Sequence, residues 1–117
     1  MELKADFGHP LFEESMASAL TTADLDDFYV KAAELERLNL FFVLEASFHK
    51  YLSEGKDELA ARLAFLTAYY VFIPLTPPAS WYLTLHYIHE AVRLDPRNKK
   101  YGEWLALIKK GISACAV

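Results

Sequence analysis

Two pairs of histidine and glutamate are the residues in this sequence whose types and spacing could do chemistry. His86 and Glu90 are four residues apart in LHYIHEAVR, and Glu45 and His49 are four residues apart in LEASFHK. On a helix, side chains at this spacing lie on one face, so each pair could give two ligands to one metal ion. Two such pairs facing each other would complete a site, so a metal- or small-ligand-binding helical bundle is one hypothesis.

The same residues have a simpler interpretation as solvated side chains. Diiron bundles place Glu and His three residues apart, as Glu-x-x-His, and that motif is absent from this sequence. Tyr82, His86, His89, Glu90 and Arg93 instead share the polar flank of one predicted helix, as ordinary surface side chains do. We therefore expect neither a resident metal nor another cofactor.

Other constellations for catalysis are absent from the sequence. Cys115, the single cysteine, lies in SACAV near the C-terminus, and four scattered glycines make no Gly-rich phosphate loop. The paired carboxylates Asp26 and Asp27, and Glu13 and Glu14, fall in predicted first helical turns, where the helix dipole favours negative charge. The sequence predicts a protein that is not an enzyme.

Composition limits the partners and the compartment. The net charge is −4 and Lys and Arg do not cluster on one face, so no nucleic-acid partner is expected. The longest apolar run, residues 63–73, is far shorter than the ~20 residues that cross a bilayer, so no membrane is expected. MELKADFGHP lacks the apolar region of a signal peptide, and one cysteine makes no intrachain disulfide. These features favour a cytoplasmic protein.

Apolar residues recur at helical spacing along the whole chain and predict one all-α domain over residues 1–117, with flexible ends at 1–9 and 113–117. Five or six antiparallel helices with short connections are expected, as helical hairpins in an array or as an irregular bundle. The predicted helices run from Pro10 to Leu20, from Asp24 to Gly55 with a break near Asn39, from Asp57 to Ile73, from Pro77 to Leu94, and from Asn98 to Gly111.

The third of these predicted helices is apolar on almost every side after Arg62. A helix of this kind belongs in the middle of a fold, because every face needs a packing partner. Its end, Tyr69 to Ile73, is also rich in residues that favour strands. The sequence does not alternate there, however, so a helix is expected.

The stretch EAVRLDPRN ends one predicted helix and leads into the next. Ala91 is small where two helices would approach closely, Pro96 stops the helix, and Tyr101 and Trp104 open the helix that follows. Over residues 79–108 this pattern resembles a tetratricopeptide repeat, from the end of its second helix through its Leu-Asp-Pro turn. The resemblance implies a right-handed array of helical hairpins whose groove binds a protein or peptide. Upstream, two phasings of the repeat remain open.

Aromatic residues make up 15% of the chain and concentrate in its second half. Core packing accounts for most of them, but exposed Tyr and Trp are typical of interface anchors. We predict a non-enzymatic interaction or adaptor module that binds a protein or peptide partner, with self-association into a homo-oligomer as one form of it. The predicted partner-binding residues are Tyr69, Tyr70, Trp81, Tyr82, His86 and Arg93. The alternative is metal or small-ligand binding through His86, Glu90, Glu45 and His49.

Overall fold

The computed structural model describes Leu3 and residues 11–115, with side chains described as far as residue 112. The predicted all-α class is confirmed, because these residues form six helices and no strand, packed as an irregular bundle. The flexible ends predicted at 1–9 and 113–117 lie outside the described residues, apart from Leu3 and the helical backbone of 113–115. The helices are α1 (Glu14–Ala19), α2 (Thr22–Lys31), α3 (Glu34–Ser53), α4 (Asp57–Tyr70), α5 (Ser80–Leu94) and α6 (Lys99–Cys115).

Helix α2 begins at a capping box. The backbone N–H of Thr21 donates to the Asp24 carboxylate at 2.9 Å, and the backbone N–H of Asp24 donates back to the Thr21 hydroxyl at 3.3 Å. The bond from the Thr21 backbone holds the pKa of Asp24 below its ordinary value, because it stabilises the charged carboxylate. Two otherwise unpaired donors at the start of the helix are thus satisfied.

The boundary between α2 and α3 lies at Ala32 and Ala33, and the break predicted near Asn39 was wrong. The backbone N–H of Ala33 donates to the Glu36 side chain at 3.1 Å, which starts α3 there. Arg37 reaches back across the junction, where its Nε donates to the Tyr29 carbonyl at 2.7 Å and its guanidinium lies 4.1 Å from the Tyr29 ring centre. The capping bond at Ala33 and the long side chain of Arg37 therefore fix where the chain turns between α2 and α3.

Gly55 ends α3 as predicted, in a left-handed conformation with φ of 74°. The end of the following helix differs from the prediction. After Tyr70, α4 widens into a π-helical turn, Val71–Leu75, that includes Pro74 and closes with Thr76 N–H bonded to the Val71 carbonyl at 3.0 Å. Thr76 then takes φ of 43° and Ala79 φ of 59°, so α5 starts at Ser80 rather than at Pro77.

Helix α4 lies in the middle of the bundle, as its apolar sequence predicts. Helices α3 and α5 both pack along it and also meet each other, where Phe48 of α3 contacts Tyr87 of α5, and α1 and α2 contact α4 as well. The α6 helix packs against α5 and also reaches α4, where Phe65 stacks on Tyr101 at 5.2 Å and meets the edge of Trp104 at 5.8 Å. Small residues on α4 allow this close approach from several directions: Ala60, Ala61, Ala64 and Ala68 are all buried.

The segment Asp57–Leu75, which is α4 with its π turn, is long and apolar enough to cross a membrane by length and composition alone. Its most apolar window has a mean hydropathy of 1.3 and is 56% buried inside the bundle. Packing against the surrounding helices accounts for that composition, since a helix with neighbours on every side is apolar all round.

The last helix is longer than predicted. It continues through Gly111, the predicted end, to Cys115. Ile112, beyond the glycine, packs against the core, and Gly111 lies beside the Phe72 ring without crowding. Asn98 caps the start of α6 as predicted, with its side-chain oxygen accepting from the Lys100 backbone N–H at 3.1 Å.

Candidate docking surface

One side of α5 faces solvent. The side that packs inward carries Thr84, Tyr87, Ile88 and Ala91, all buried. The outward side begins with two adjacent aromatic residues, Trp81 and Tyr82, whose side chains are 53% and 64% exposed. Because large aromatic side chains usually bury most of their area in a monomer, this exposure marks the outward side of α5.

The outward side of α5 forms a shallow depression of about 500 Å³. We call its lining the α5 face; it consists of Trp81, Tyr82, Leu85, His86, His89, Glu90 and Arg93. The Trp81 and Tyr82 rings meet edge to face at 5.8 Å at its N-terminal end. At its C-terminal end, Arg93 Nε donates to the Glu90 carboxylate at 2.5 Å. The face therefore has an aromatic end and a charged end.

A second exposed apolar group lies on α3. Leu35, Leu38 and Phe42, here called the α3 stripe, are 69%, 44% and 61% exposed, and their spacing of three and four residues puts them on one side of the helix. The buried side of α3 carries Leu40, Val43, Leu44 and Ser47.

Ring contacts connect the α3 stripe with the α5 face. Phe42 meets Phe41 at 5.4 Å, Phe41 meets the buried Tyr87 at 6.4 Å, and Tyr87 meets His86 at 4.9 Å. All three contacts are edge to face, which is the favourable geometry for aromatic pairs. The two exposed groups thus sit on neighbouring parts of one side of the bundle.

Four of the six predicted partner-binding residues come together on the α5 face: Trp81, Tyr82, His86 and Arg93. Tyr70 does not belong with them. It is fully buried, and its hydroxyl donates to the Arg37 carbonyl at 2.6 Å. Burial raises the pKa of Tyr70 well above its ordinary value, because the ionised ring would lose its hydration. It is a core residue, so its assignment to a partner surface was wrong.

Tyr69 is also turned away from the α5 face. Its half-buried ring meets the edge of Trp104 at 5.8 Å, and its hydroxyl donates to the Asp26 carboxylate at 2.8 Å. Burial, reinforced by the hydrogen bond to Asp26, raises the pKa of Tyr69 to about 12. The residue fastens α2 to α4, and we do not include it in the docking surface.

The four residues of the metal hypothesis are not assembled into a metal site. Glu45 accepts a hydrogen bond from the Tyr87 hydroxyl, and Glu90 is paired with Arg93. His49 is exposed and lies against the ring of Phe48 at 5.0 Å. Among residues 11–112, whose side chains are described, no three His, Cys, Asp or Glu residues are grouped so that they could hold an ion. The structure therefore does not bring these four residues together as one ligand set.

The chain matches no protein-family model, no curated protein and no solved structure. Function therefore has to follow from the geometry of the side chains.

A second depression, of about 550 Å³, lies where α1 meets the start of α4, and its charged groups hold the fold together. The Arg62 guanidinium donates to the carbonyls of Ala17, at 3.1 Å, and Leu20, at the end of α1. Lys56 Nζ donates to the Glu14 carboxylate at 2.7 Å, and this bond raises the pKa of Lys56. Because these cations already bind groups of the same chain, the depression has a structural role.

Proposed function

We propose that this chain is a protein-interaction module, and that its partner docks on the α5 face. The observation that carries the proposal is the exposure of Trp81 and Tyr82 side by side in a depression that also holds Arg93. Trp, Tyr and Arg are the residues most enriched among those that dominate binding energy at protein interfaces.

The surroundings of these residues favour a protein partner over a small molecule. Every residue that lines the α5 face is exposed or half-buried, so the depression has no enclosed, water-free interior. Small-molecule sites, by contrast, bury most of the ligand's surface. An aromatic end followed by the polar side chains of His86, His89, Glu90 and Arg93 combines apolar and polar groups as protein interfaces do.

The rest of the proposal follows from the residue chemistry. The module acts as an adaptor, without catalysis and without a cofactor, and it works in the cytoplasm. The tetratricopeptide-like succession of α5 and α6 belongs to the same proposal, since stacked helical hairpins present long surfaces to proteins and peptides.

Substitution of the two aromatic residues tests the proposal. The tagged wild-type chain, the double variant W81S/Y82S and the control L107S are used to retain proteins from an extract of the source cells. Leu107 is 61% exposed on α6, so its replacement removes a similar amount of exposed apolar surface elsewhere. All three proteins should melt at nearly the same temperature, because none of the substituted side chains is buried.

The expected result is a set of proteins, or further copies of the chain, retained by the wild type and L107S and lost from W81S/Y82S. Retention that is equal for all three would show that the α5 face is not the docking surface. A wild-type chain that retains nothing and stays monomeric would overturn the interaction function itself.

A further inference from the structure

Four residues of the α5 face have the same spacing in both chain directions. Tyr82, His86, His89 and Arg93 are separated by four, three and four residues, so reversing the helix leaves the pattern unchanged. When two such helices lie antiparallel about a twofold axis, Tyr82 of one lies opposite Arg93 of the other. His86 then lies opposite His89 of the other copy. An interface between identical subunits needs this kind of self-complementarity.

The two ends of the face are complementary in chemistry but cannot meet within one chain. Tyr82 and Arg93 are 11 residues apart on a continuous helix, a rise of about 16 Å. The Arg93 side chain stays 59% exposed although its Nε is bound to Glu90, so the flat face of the guanidinium is open to a ring. A guanidinium over a tyrosine or tryptophan ring is an attractive pair.

We propose that the partner of the α5 face is a second copy of this chain, docked with the two α5 helices antiparallel. The inference rests on the proposed function and names its partner. The antiparallel arrangement places the aromatic end of each copy on the charged end of the other, where the Arg93 guanidinium can lie over a ring. A parallel arrangement would instead place Arg93 against Arg93, where like charges repel.

The α3 stripe extends the surface that a second copy can cover. A stable interface buries roughly 800 Å² on each partner, more than the side of a single short helix provides. Leu35, Leu38 and Phe42 are exposed on the helix next to the α5 face and connect to it through Phe41 and Tyr87. They supply apolar area beside the paired helices.

Cysteine cross-linking tests the register. In a C115S background, Y82C and R93C are prepared separately and then mixed and oxidised. The mixture should give a disulfide-linked dimer, because the two positions face each other across the axis. Each variant alone should cross-link far less, since equivalent positions lie about 16 Å apart along the pair and a disulfide needs Cα atoms within about 7 Å.

Sedimentation of the chain without introduced cysteines measures the strength of association. Wild type should form dimers as its concentration rises, and R93E should raise the dimer Kd about tenfold or more, because two symmetric cation–ring contacts are lost. The control K109E makes the same change of charge at an exposed position on α6 and should leave the Kd within about twofold of wild type.

Monomers at every concentration, with no cross-link in the mixture, would overturn self-association. The interaction function would survive that result if W81S/Y82S still lost proteins that the wild type retains. A dimer that resists R93E, or in which Y82C cross-links to itself, would overturn this antiparallel register.

Discussion

Buried tyrosines fasten the helices of this molecule to one another through their hydroxyl groups. Tyr51 donates to the Phe12 carbonyl at 2.5 Å and holds the segment before α1 against α3. Tyr70 donates to Arg37, Tyr69 to Asp26, and Tyr87 to Glu45, so each joins two different elements. Tyrosine suits such contacts between elements, because its ring fills space in the core while its hydroxyl donates a hydrogen bond to a polar group of the neighbouring element.

These tyrosines should make the fold sensitive to alkali. Burial raises the pKa of Tyr69 to about 12 and raises the pKa of Tyr70, Tyr87 and Tyr101 above the ordinary value of 10.0. Because the pKa of each of these tyrosines is higher in the folded state than in the unfolded state, the stability it contributes is fully present below about pH 10. That contribution is lost as pH rises through the pKa of the folded state. The free energy of unfolding in urea should therefore stay level to about pH 10 and fall by pH 12.

Tyrosine absorbance recorded in the same samples distinguishes ionisation from unfolding. In Y69F the fall should be smaller, because one titrating hydroxyl has been removed. An unfolding free energy that stays level through pH 12 would contradict the prediction.

Thr84 is a place where the fold can be improved. Its hydroxyl is fully buried and has no hydrogen-bond partner among the described residues. An unpaired buried hydroxyl costs about 1–3 kcal/mol, and valine has nearly the same shape without the polar atom. T84V should therefore raise the free energy of unfolding in urea by about 1 kcal/mol.

Thr67 provides the matched control, since it is equally buried but its hydroxyl donates to the Leu63 carbonyl at 2.7 Å. T67V should bring no gain. Equal changes in the free energy of unfolding for T84V and T67V would show that the hydrogen bonding of these two hydroxyls does not affect stability.

At the scale of elements, the C-terminal end of α1 is held by the Arg62 side chain of α4. It is a six-residue helix without a side-chain cap at its start, and the Arg62 guanidinium binds the carbonyls of Ala17 and Leu20 at its end. Hydrogen bonds to a charged group contribute about 1.5–3 kcal/mol when partly buried. R62M should therefore lower the unfolding free energy by about 2 kcal/mol and speed proteolytic cleavage near α1.

R97M, at an exposed position between α5 and α6, serves as its control and should change stability by less than about 0.5 kcal/mol. If R62M were as stable and as resistant to protease as R97M, the guanidinium would not be what holds α1.

Gly55 and Thr76, which both have left-handed backbones, should respond to substitution in opposite directions. Gly55 has φ of 74° with open space around it, so the methyl group of G55A would clash with nothing. The left-handed backbone alone should then lower the free energy of unfolding by about 1 kcal/mol. Thr76 carries a branched side chain at φ of 43°, so T76G should stabilise by up to about 1 kcal/mol. Urea denaturation of both variants is the measurement, and a loss in T76G would show that its threonine side chain makes a compensating contact.

The sequence was sufficient for the helical class, the end of α3 at Gly55, the end of α5 at Leu94 and the start of α6 at Asn98, because glycine, proline and capping signals are local. It was insufficient for the corner at Ala32, which Arg37 stabilises from the next helix. Pro74 was taken as a helix end, yet the π turn around it keeps the chain helical. Likewise, Tyr70 and Tyr82 look alike in sequence. Their opposite burial depends on how α4 and α5 are rotated against their neighbours.

At the scale of the whole molecule, every helix depends on α4, so the bundle should unfold as one unit. L63A removes a fully buried side chain from α4 and should cost about 3 kcal/mol, within the usual range for such cavities. Far-UV circular dichroism and tryptophan fluorescence, to which Trp81 on α5 and Trp104 on α6 both contribute, should give one coincident transition in wild type and in L63A.

L107A, at an exposed position on α6, should change stability little and provides the comparison. Two separated transitions in L63A would show that α5 and α6 form a unit that is independent of the rest.

The central position of α4 also has a consequence for how the chain is made. Its most extensive neighbour, α5, is translated after it, so the side of α4 that packs on α5 stays uncovered while the ribosome adds the residues from Tyr70 to Leu94. At ordinary elongation speeds that interval lasts roughly 1–5 s. During that interval the nascent chain exposes an apolar segment to which chaperones can bind, and packing of the completed α5 buries it.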